Sequence, residues 1–535
     1  MQSSDNNYPI SHKHIIYTLL FIGLVTISCT FPSFASSDPM FKAPQGADRW
    51  TDTPVPPTFT PEPNHTTPEP VHNQLSTSIP TPTPTYDESV LDNAPILYYA
   101  QAGDTLPVVA IRFGVESSEI ASPDPLPDIN LLNPGQLLII PNRLENTTSS
   151  QHLIPDSEVV FSPSAIDFDI AAYIADAGGF LNTYSEWLFT SGVTSGAKVI
   201  SRVAIENSIN PRLILALLEY ESGWVYGFPE DASINEYPMG FRDDRHKRLY
   251  HQLTWAVNQL ASGYYGWREG RLTEIHFSDG ISARLAPDLN AGTTGLQYYF
   301  AQRKNSTDWL AAIDPAMGLP ALHERMFGNP WMRAQTVEPL YPPNLQQPAL
   351  ILPFQENIIW GFTGGPHGAW ERDGAWAAID FGPGSDVPGS LQEHCEKSNA
   401  WVVSSAAGLV IRSGDGIVVI DMDGDGREQT GWVLFFLHIA TDGRIPNGAW
   451  VEAGDRIGHP SCEGGFSTGT HIHFARKYNG EWIVADGPLP FVLSGWFVTA
   501  GDKPYEGTLT KDGKTIPASP LGIYASRIIR TPDSQ

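Results

Sequence analysis

The last third of the chain is punctuated by apolar runs: WVVSSAAGLVIRS, GIVVIDMD, WVLFFLHIA, THIHFARKY and EWIVAD. Val, Ile, Phe and Trp dominate them and Gly or Asp breaks them, so residues 345–500 read as many short strands in a mostly antiparallel β fold. One run carries an unusual constraint. In STGTHIHF, residues 467–474, two histidines stand one residue apart. Side chains alternate along a strand, so His471 and His473 face one way and Ile472 the other.

Two imidazoles on one face suit a metal, provided that other ligands exist. Asp380 lies in WAAIDF and His367 in FTGGPHGAW. With His473 they supply two imidazoles and one carboxylate. Three protein ligands and an open fourth position are what catalytic zinc requires, whereas structural zinc is closed by a fourth side chain. Zinc lowers the pKa of water from about 15.7 to about 7, and it polarises a carbonyl. His471 and His438, the latter in FFLHIA, then remain for proton transfer and oxyanion stabilisation. The residues alone do not say which does which.

SCEGGFSTGTHIHF, together with FLHIA and the TGGPH and AAIDF segments, resembles the lysostaphin-type zinc endopeptidases. The resemblance implies His367, Asp380 and His473 as zinc ligands and His438 and His471 as catalytic. It also implies cleavage of peptide bonds in peptidoglycan cross-bridges. In the common branch of that family a His stands four residues before the Asp; here that position is Trp376. The beta-lytic subgroup instead takes its ligand from a GGxH segment thirteen residues before the Asp. Gly364-Gly365-Pro366-His367 has that form and that separation from Asp380.

Upstream, the organisation changes several times along the 535 residues, a length that suits three or four domains at about 150 residues each. Residues 1–35 read as a signal peptide. Lys13 precedes an apolar run from Ile15 to Ile27 that is short for a membrane span, and Ser33-Phe34-Ala35 offers a cleavage site. TISC, ending at Cys29, is the alternative: a lipid anchor, which would be the chain's one route to a membrane. Either reading exports the protein to the medium or the cell surface. In an oxidising compartment the two remaining cysteines, Cys395 and Cys462, are expected to form a disulfide. Residues 36–92 are rich in Pro, Thr and Ser without hydrophobic period, as in an extended stalk.

Residues 97–141 open with YYAQAGDTLPVVAIRFGV and close with LNPGQLLIIP. This resembles a LysM module, a small βααβ fold, and implies binding of the N-acetylglucosamine glycan of peptidoglycan. Its middle, ASPDPLPDIN, is proline-rich where that family has a second regular helix. Residues 165–335 turn helical: AKVISRVAIENSINPRLILALLEYESGW repeats its apolar residues every three or four positions, and Asn210-Pro211 marks a helix start. The region resembles the lysozyme-like superfamily, in which a Glu-Ser pair presents an acid to a sugar chain; here the pair is Glu221-Ser222. Such an acid must be held protonated by burial, and Tyr220 and Trp224 could wall it.

Two features stay outside this scheme. DMDGDGRE has Asp421, Asp423 and Asp425 spaced as in the first half of a calcium loop, but Trp432 occupies the twelfth position, so it reads as a polar hairpin loop with weak calcium binding as the alternative. Residues 501–535 have strand-like pieces and no legible chemistry. The net charge of −27 argues against nucleic acid and anionic lipid as partners. The expected whole is a multidomain α+β cell-wall hydrolase. Its rivals are a non-catalytic peptidoglycan-binding or activator protein, and a glycan-cleaving enzyme working through the helical domain.

Overall fold

The computed structural model describes residues 94–127, 130–384 and 395–532. The expected signal peptide, the anchor alternative at Cys29 and the stalk lie outside these residues. Two short strands, β1 (Ile96–Tyr99) and β2 (Leu137–Ile140), pair antiparallel and flank helix α1 (Leu106–Phe113). Thr105 caps α1 by accepting from Val108 N, and Gly114 ends it at φ 65°. The second helix shrinks to one 3-10 turn, Ser117–Glu119, ahead of the proline-rich stretch. A buried Asp104–Arg112 ion pair at 2.7 Å stiffens the unit. Arg112 Nη2 also reaches Trp267 O at 3.0 Å, which ties this small unit to the helical region.

In the helical region α2 (Gly196–Asn207) and α3 (Pro211–Ser222) precede α4 (Arg248–Arg268) and α5 (Ala291–Ala301). Asn210 caps α3 with Pro211 at its first turn, as the sequence reading expects, and Leu213 to Leu218 are all buried. A helix apolar all round sits at the centre of its region. α4 and α5 approach closely because Gly263 and Gly295 face each other. A Cβ on Gly263 would stand 2.6 Å from Tyr298 Cβ and 2.9 Å from Gly295 Cα.

The strands of the C-terminal region are β3 (Ile359–His367), β4 (Ala378–Pro383), β5 (Gly408–Gly414), β6 (Ile417–Asp421), β7 (Trp432–Leu437), β8 (Trp450–Val451), β9 (Ile472–Tyr478), β10 (Glu481–Trp482) and β11 (Arg527–Ile529). They form one antiparallel sheet in the order β8-β5-β6-β7-β9-β4-β3-β11, with β10 paired to β9. Two faces are covered, which explains the unbroken apolar run WVLFFL of β7. Leu434 and Phe436 pack with Phe354, Trp360 and Phe381 on one face. Val433, Phe435 and Leu437 pack on the other, in the same core as α3 and α4. Each such buried side chain contributes about 1.5–3 kcal/mol. The tail after Gly501 is therefore no appendage. β11 pairs with β3 at the sheet edge, Ile528 opposite Trp360, and residues 507–511 and 514–517 extend a second small sheet.

Candidate metal centre

Three adjacent strands bring the predicted ligands together. His473 on β9 lies directly opposite Asp380 on β4, and His367 ends β3, the next strand out. Because Ile472 and Phe474 belong to the core on the far face, His473 must project to the other side, as alternation requires. Asp380 Oδ1 stands 3.3 Å from His367 Nε2 and 3.5 Å from His473 Nδ1. The two imidazole nitrogens are 3.1 Å apart. Gly364 leaves room for the carboxylate, since a Cβ there would stand 2.5 Å from Asp380 Oδ2.

The rings are oriented by backbone carbonyls. His367 Nδ1 donates to Gly365 O at 2.8 Å and His473 Nε2 to Ala369 O at 2.8 Å. These bonds fix the tautomers and leave Nε2 of His367 and Nδ1 of His473 as lone-pair donors facing Asp380. Asp380 Oδ1 is buried with no hydrogen-bond partner. A buried carboxylate oxygen left bare between two imidazole lone pairs suits a cation. The donor set, two nitrogens and one oxygen, suits zinc.

His438 and His471 stand beside the cluster, ring centroids 4.5 Å apart. Each donates through Nδ1 to a carbonyl, Glu463 O at 2.9 Å and Gly469 O at 2.8 Å. Each therefore turns Nε2 inward, and His471 Nε2 lies 3.9 Å from Asp380 Oδ2. Burial and the neighbouring imidazoles of His471 and His473 hold His438 neutral, its pKa down to about 3. His438 also adopts φ 66°, a left-handed conformation rare outside glycine. Cys395 and Cys462 are joined, their Cα atoms 5.3 Å apart. The crosslink anchors the loop that supplies the Glu463 carbonyl.

The other singled-out residues lie elsewhere. Trp376 stacks under Arg271 of the helical region, 5.5 Å from guanidinium to ring, and takes no part in the cluster. A further histidine close to the crosslink in sequence, His459, donates to Ala400 O and packs on Trp401, outside the cluster. Glu221 accepts from Tyr299 OH at 3.2 Å and lies 3.6 Å from the Arg303 guanidinium. Asp421, Asp423 and Asp425 gather in the β6–β7 hairpin loop, where Asp421 accepts from the backbone N–H of Gly426 and Asp423. One neighbour was invisible in the sequence. Tyr505, in the tail, stacks on His367, and Gly365 N donates to its carbonyl at 2.9 Å. A lone Tyr in GDKPYEG carries no motif; only the fold brings it to His367.

Cluster and donor set suit a metallopeptidase, and the relatives found by sequence agree. Residues 152–343 match the LasA N-terminal domain family. The chain is 26% identical over 358 residues to Protease LasA of Pseudomonas aeruginosa, covering 62% of this chain and 75% of that protein. It is 28% identical over 177 residues to the beta-lytic metalloendopeptidase of Achromobacter lyticus, 31% of this chain and 43% of that one. A solved M23 metalloprotease, pseudoalterin from the deep sea, aligns with 33% of this chain and 96% of its own at 21% identity, with a TM-score of 0.26. Centre and relatives together support a metalloendopeptidase with zinc as its cofactor. Within that class the chain is LasA-like, and its helical region takes its similarity from the LasA N-terminal domain.

Proposed function

We propose that this chain is an exported zinc endopeptidase that cuts the cross-bridge peptides of peptidoglycan. The observation that carries the reading is two backbone-oriented imidazoles, His367 and His473, facing one bare oxygen of Asp380, with the imidazoles of His471 and His438 beside them. His367, Asp380 and His473 would hold the zinc. The ion would supply Lewis acidity and a water activated near neutral pH. His438 and His471 present Nε2 toward the same space. One takes a proton and the other, once protonated, donates to the oxygen that gains charge as the peptide carbonyl is attacked. Their Nδ1 bonds fix which nitrogen does this. The β1–α1–β2 unit is read as a LysM module that holds the N-acetylglucosamine strand and so raises the local substrate concentration.

Purified peptidoglycan digested with and without a chelator, with mass spectrometry of the fragments, tests this reading. New amino termini that vanish with chelation and in His471→Ala support it. Zinc binding without peptide cleavage would instead indicate a binding or activator protein. New reducing or anhydro sugar ends would move the activity to a lysozyme-like helical domain and Glu221. The geometry favours that less, because both Glu221 oxygens are already engaged within the domain, one by Tyr299 OH at 3.2 Å and one by the Arg303 guanidinium at 3.6 Å.

A further inference from the structure

A cleft of about 310 Å³ opens where the β1–α1–β2 unit meets the helical region. Its residues are not those of the metal centre. Gln101 lines it from the small unit, and His152, Asp156, Asn290, Trp331 and Glu338 line it from the helical side. The rings of His152 and Trp331 lie 6.3 Å apart, within 28° of parallel, and make an aromatic wall. Trp331 is 36% exposed, a large apolar surface left in solvent.

Asn290 is only 6% exposed. Its amide nitrogen donates to Ile154 O at 2.8 Å and to Asp156 Oδ1 at 2.7 Å, so the amide cannot be turned over. Its Oδ1 is then left buried with no partner. A buried acceptor left unmet is destabilising, and a ligand that brings an O–H or N–H offsets that. The charged groups nearby are already engaged: Arg268 pairs with Asp156 at 2.9 Å and with Glu481 at 3.1 Å. Burial and Asp156 push the Glu338 carboxyl up to about 7, so it carries a proton part of the time near neutrality. An aromatic wall over a polar floor suits a ring with an apolar C–H face and hydroxyl edges.

We propose that this cleft binds one pyranose ring of a neutral saccharide chain, with Trp331 as its platform and Asn290 Oδ1 accepting from a hydroxyl or acetamido N–H. The inference rests on the reading that the substrate is peptidoglycan, whose strands offer N-acetylated pyranoses. It adds a binding position shared by two parts of the chain.

Titration calorimetry of the full-length protein with tetra-N-acetylchitotetraose tests it. The unmodified protein binds; Trp331→Ala weakens binding about tenfold, the loss of one aromatic platform. Trp331→Phe, which keeps a ring, retains most of the affinity. All three cleave a soluble cross-bridge peptide equally well, which shows that they are folded. Unchanged affinity in Trp331→Ala overturns the proposal and leaves glycan binding by the small unit standing. No binding by the unmodified protein overturns both, while digestion of peptidoglycan still reports the peptidase independently.

Discussion

Tyr505 lies face to face on His367, ring centroids 4.1 Å apart and planes inclined by 22°. The backbone holds it there: Tyr505 N donates to Pro366 O, and Gly365 N donates to Tyr505 O. His367 is thus clamped between a carbonyl on one nitrogen and an aromatic face. Outer partners of metal ligands typically govern affinity by about 10–100-fold. Tyr505→Ala is expected to release zinc roughly 10-fold faster, whereas Tyr505→Phe, which keeps the ring, holds it as the unmodified chain does. Transfer of zinc to a colorimetric chelator measures both; equal release from Tyr505→Ala and the unmodified chain would refute the clamp.

Asp380 makes the complementary prediction. Its Oδ1 is bare in the protein and aimed between two imidazoles. Asp380→Ala leaves the sheet pairing of β4 intact and removes one ligand. Zinc content after gel filtration should fall below one tenth of the protein concentration, with peptide cleavage lost in parallel, an effect of the order expected for losing a first ligand. Chelator treatment of the unmodified chain should reproduce that loss, and added Zn²⁺ should reverse it only there. Full zinc content in Asp380→Ala would remove the residue from the site.

Much of this centre is legible in the sequence because strand alternation is rigid. THIHF puts His473 on one face and Ile472 in the opposite core, and the separation of His367 from Asp380 matches two neighbouring strands. The cap at Asn210 and the start of α3 are equally local. Other features depend on long-range packing, on which periodicity is silent. Tyr505 reaches His367 through a turn in the tail, and Ile528 reaches Trp360 through β11, so the tail looks inert in the sequence and is part of the sheet. The helical pattern of α3 and α4 reveals an apolar helix but not what it packs against. Here it shares a core with Val433, Phe435 and Leu437 of the peptidase sheet.

The Cys395–Cys462 disulfide closes a loop of 67 residues and sits beside Glu463, whose carbonyl receives His438 Nδ1. Constraining the unfolded chain over a loop of this size is worth about 4 kcal/mol. Reduction, or Cys395→Ser with Cys462→Ser, should lower the denaturation midpoint. It should also reduce kcat more than it raises KM, because the loop orients His438, proposed to transfer a proton, rather than one of the proposed ligands. Unchanged kcat in a folded double variant would separate the crosslink from the site.

Arg268 joins three parts of the chain. It pairs with Asp156 at 2.9 Å and with Glu481 of β10 at 3.1 Å, and its Nη1 donates to Ala102 O. Removing one partner of a buried ion network strands the others, at about 3–5 kcal/mol. Arg268→Ala should therefore unfold at clearly lower denaturant, and adding Glu481→Leu should recover part of the loss because no unpaired charge then remains on β10. If the double variant is no more stable than Arg268→Ala, Glu481 is not what Arg268 compensates.

Glu371, between His367 and Asp380 in sequence, points toward the helical region. Burial, then Glu206 and Asp373, push its carboxyl up to about 7. In the unfolded chain a glutamate titrates near 4.3. Between those values the native state binds more protons than the unfolded state, so this group makes stability fall as pH rises from about 4.3 to about 7. Glu371→Gln cannot ionise and escapes that fall. Its melting midpoint relative to the unmodified chain should rise from pH 4 to pH 8 by roughly 2–4 °C. Calorimetry at the two pH values, with zinc held saturating, checks it. A difference that does not change with pH would mean that Glu371 titrates as an ordinary surface carboxylate.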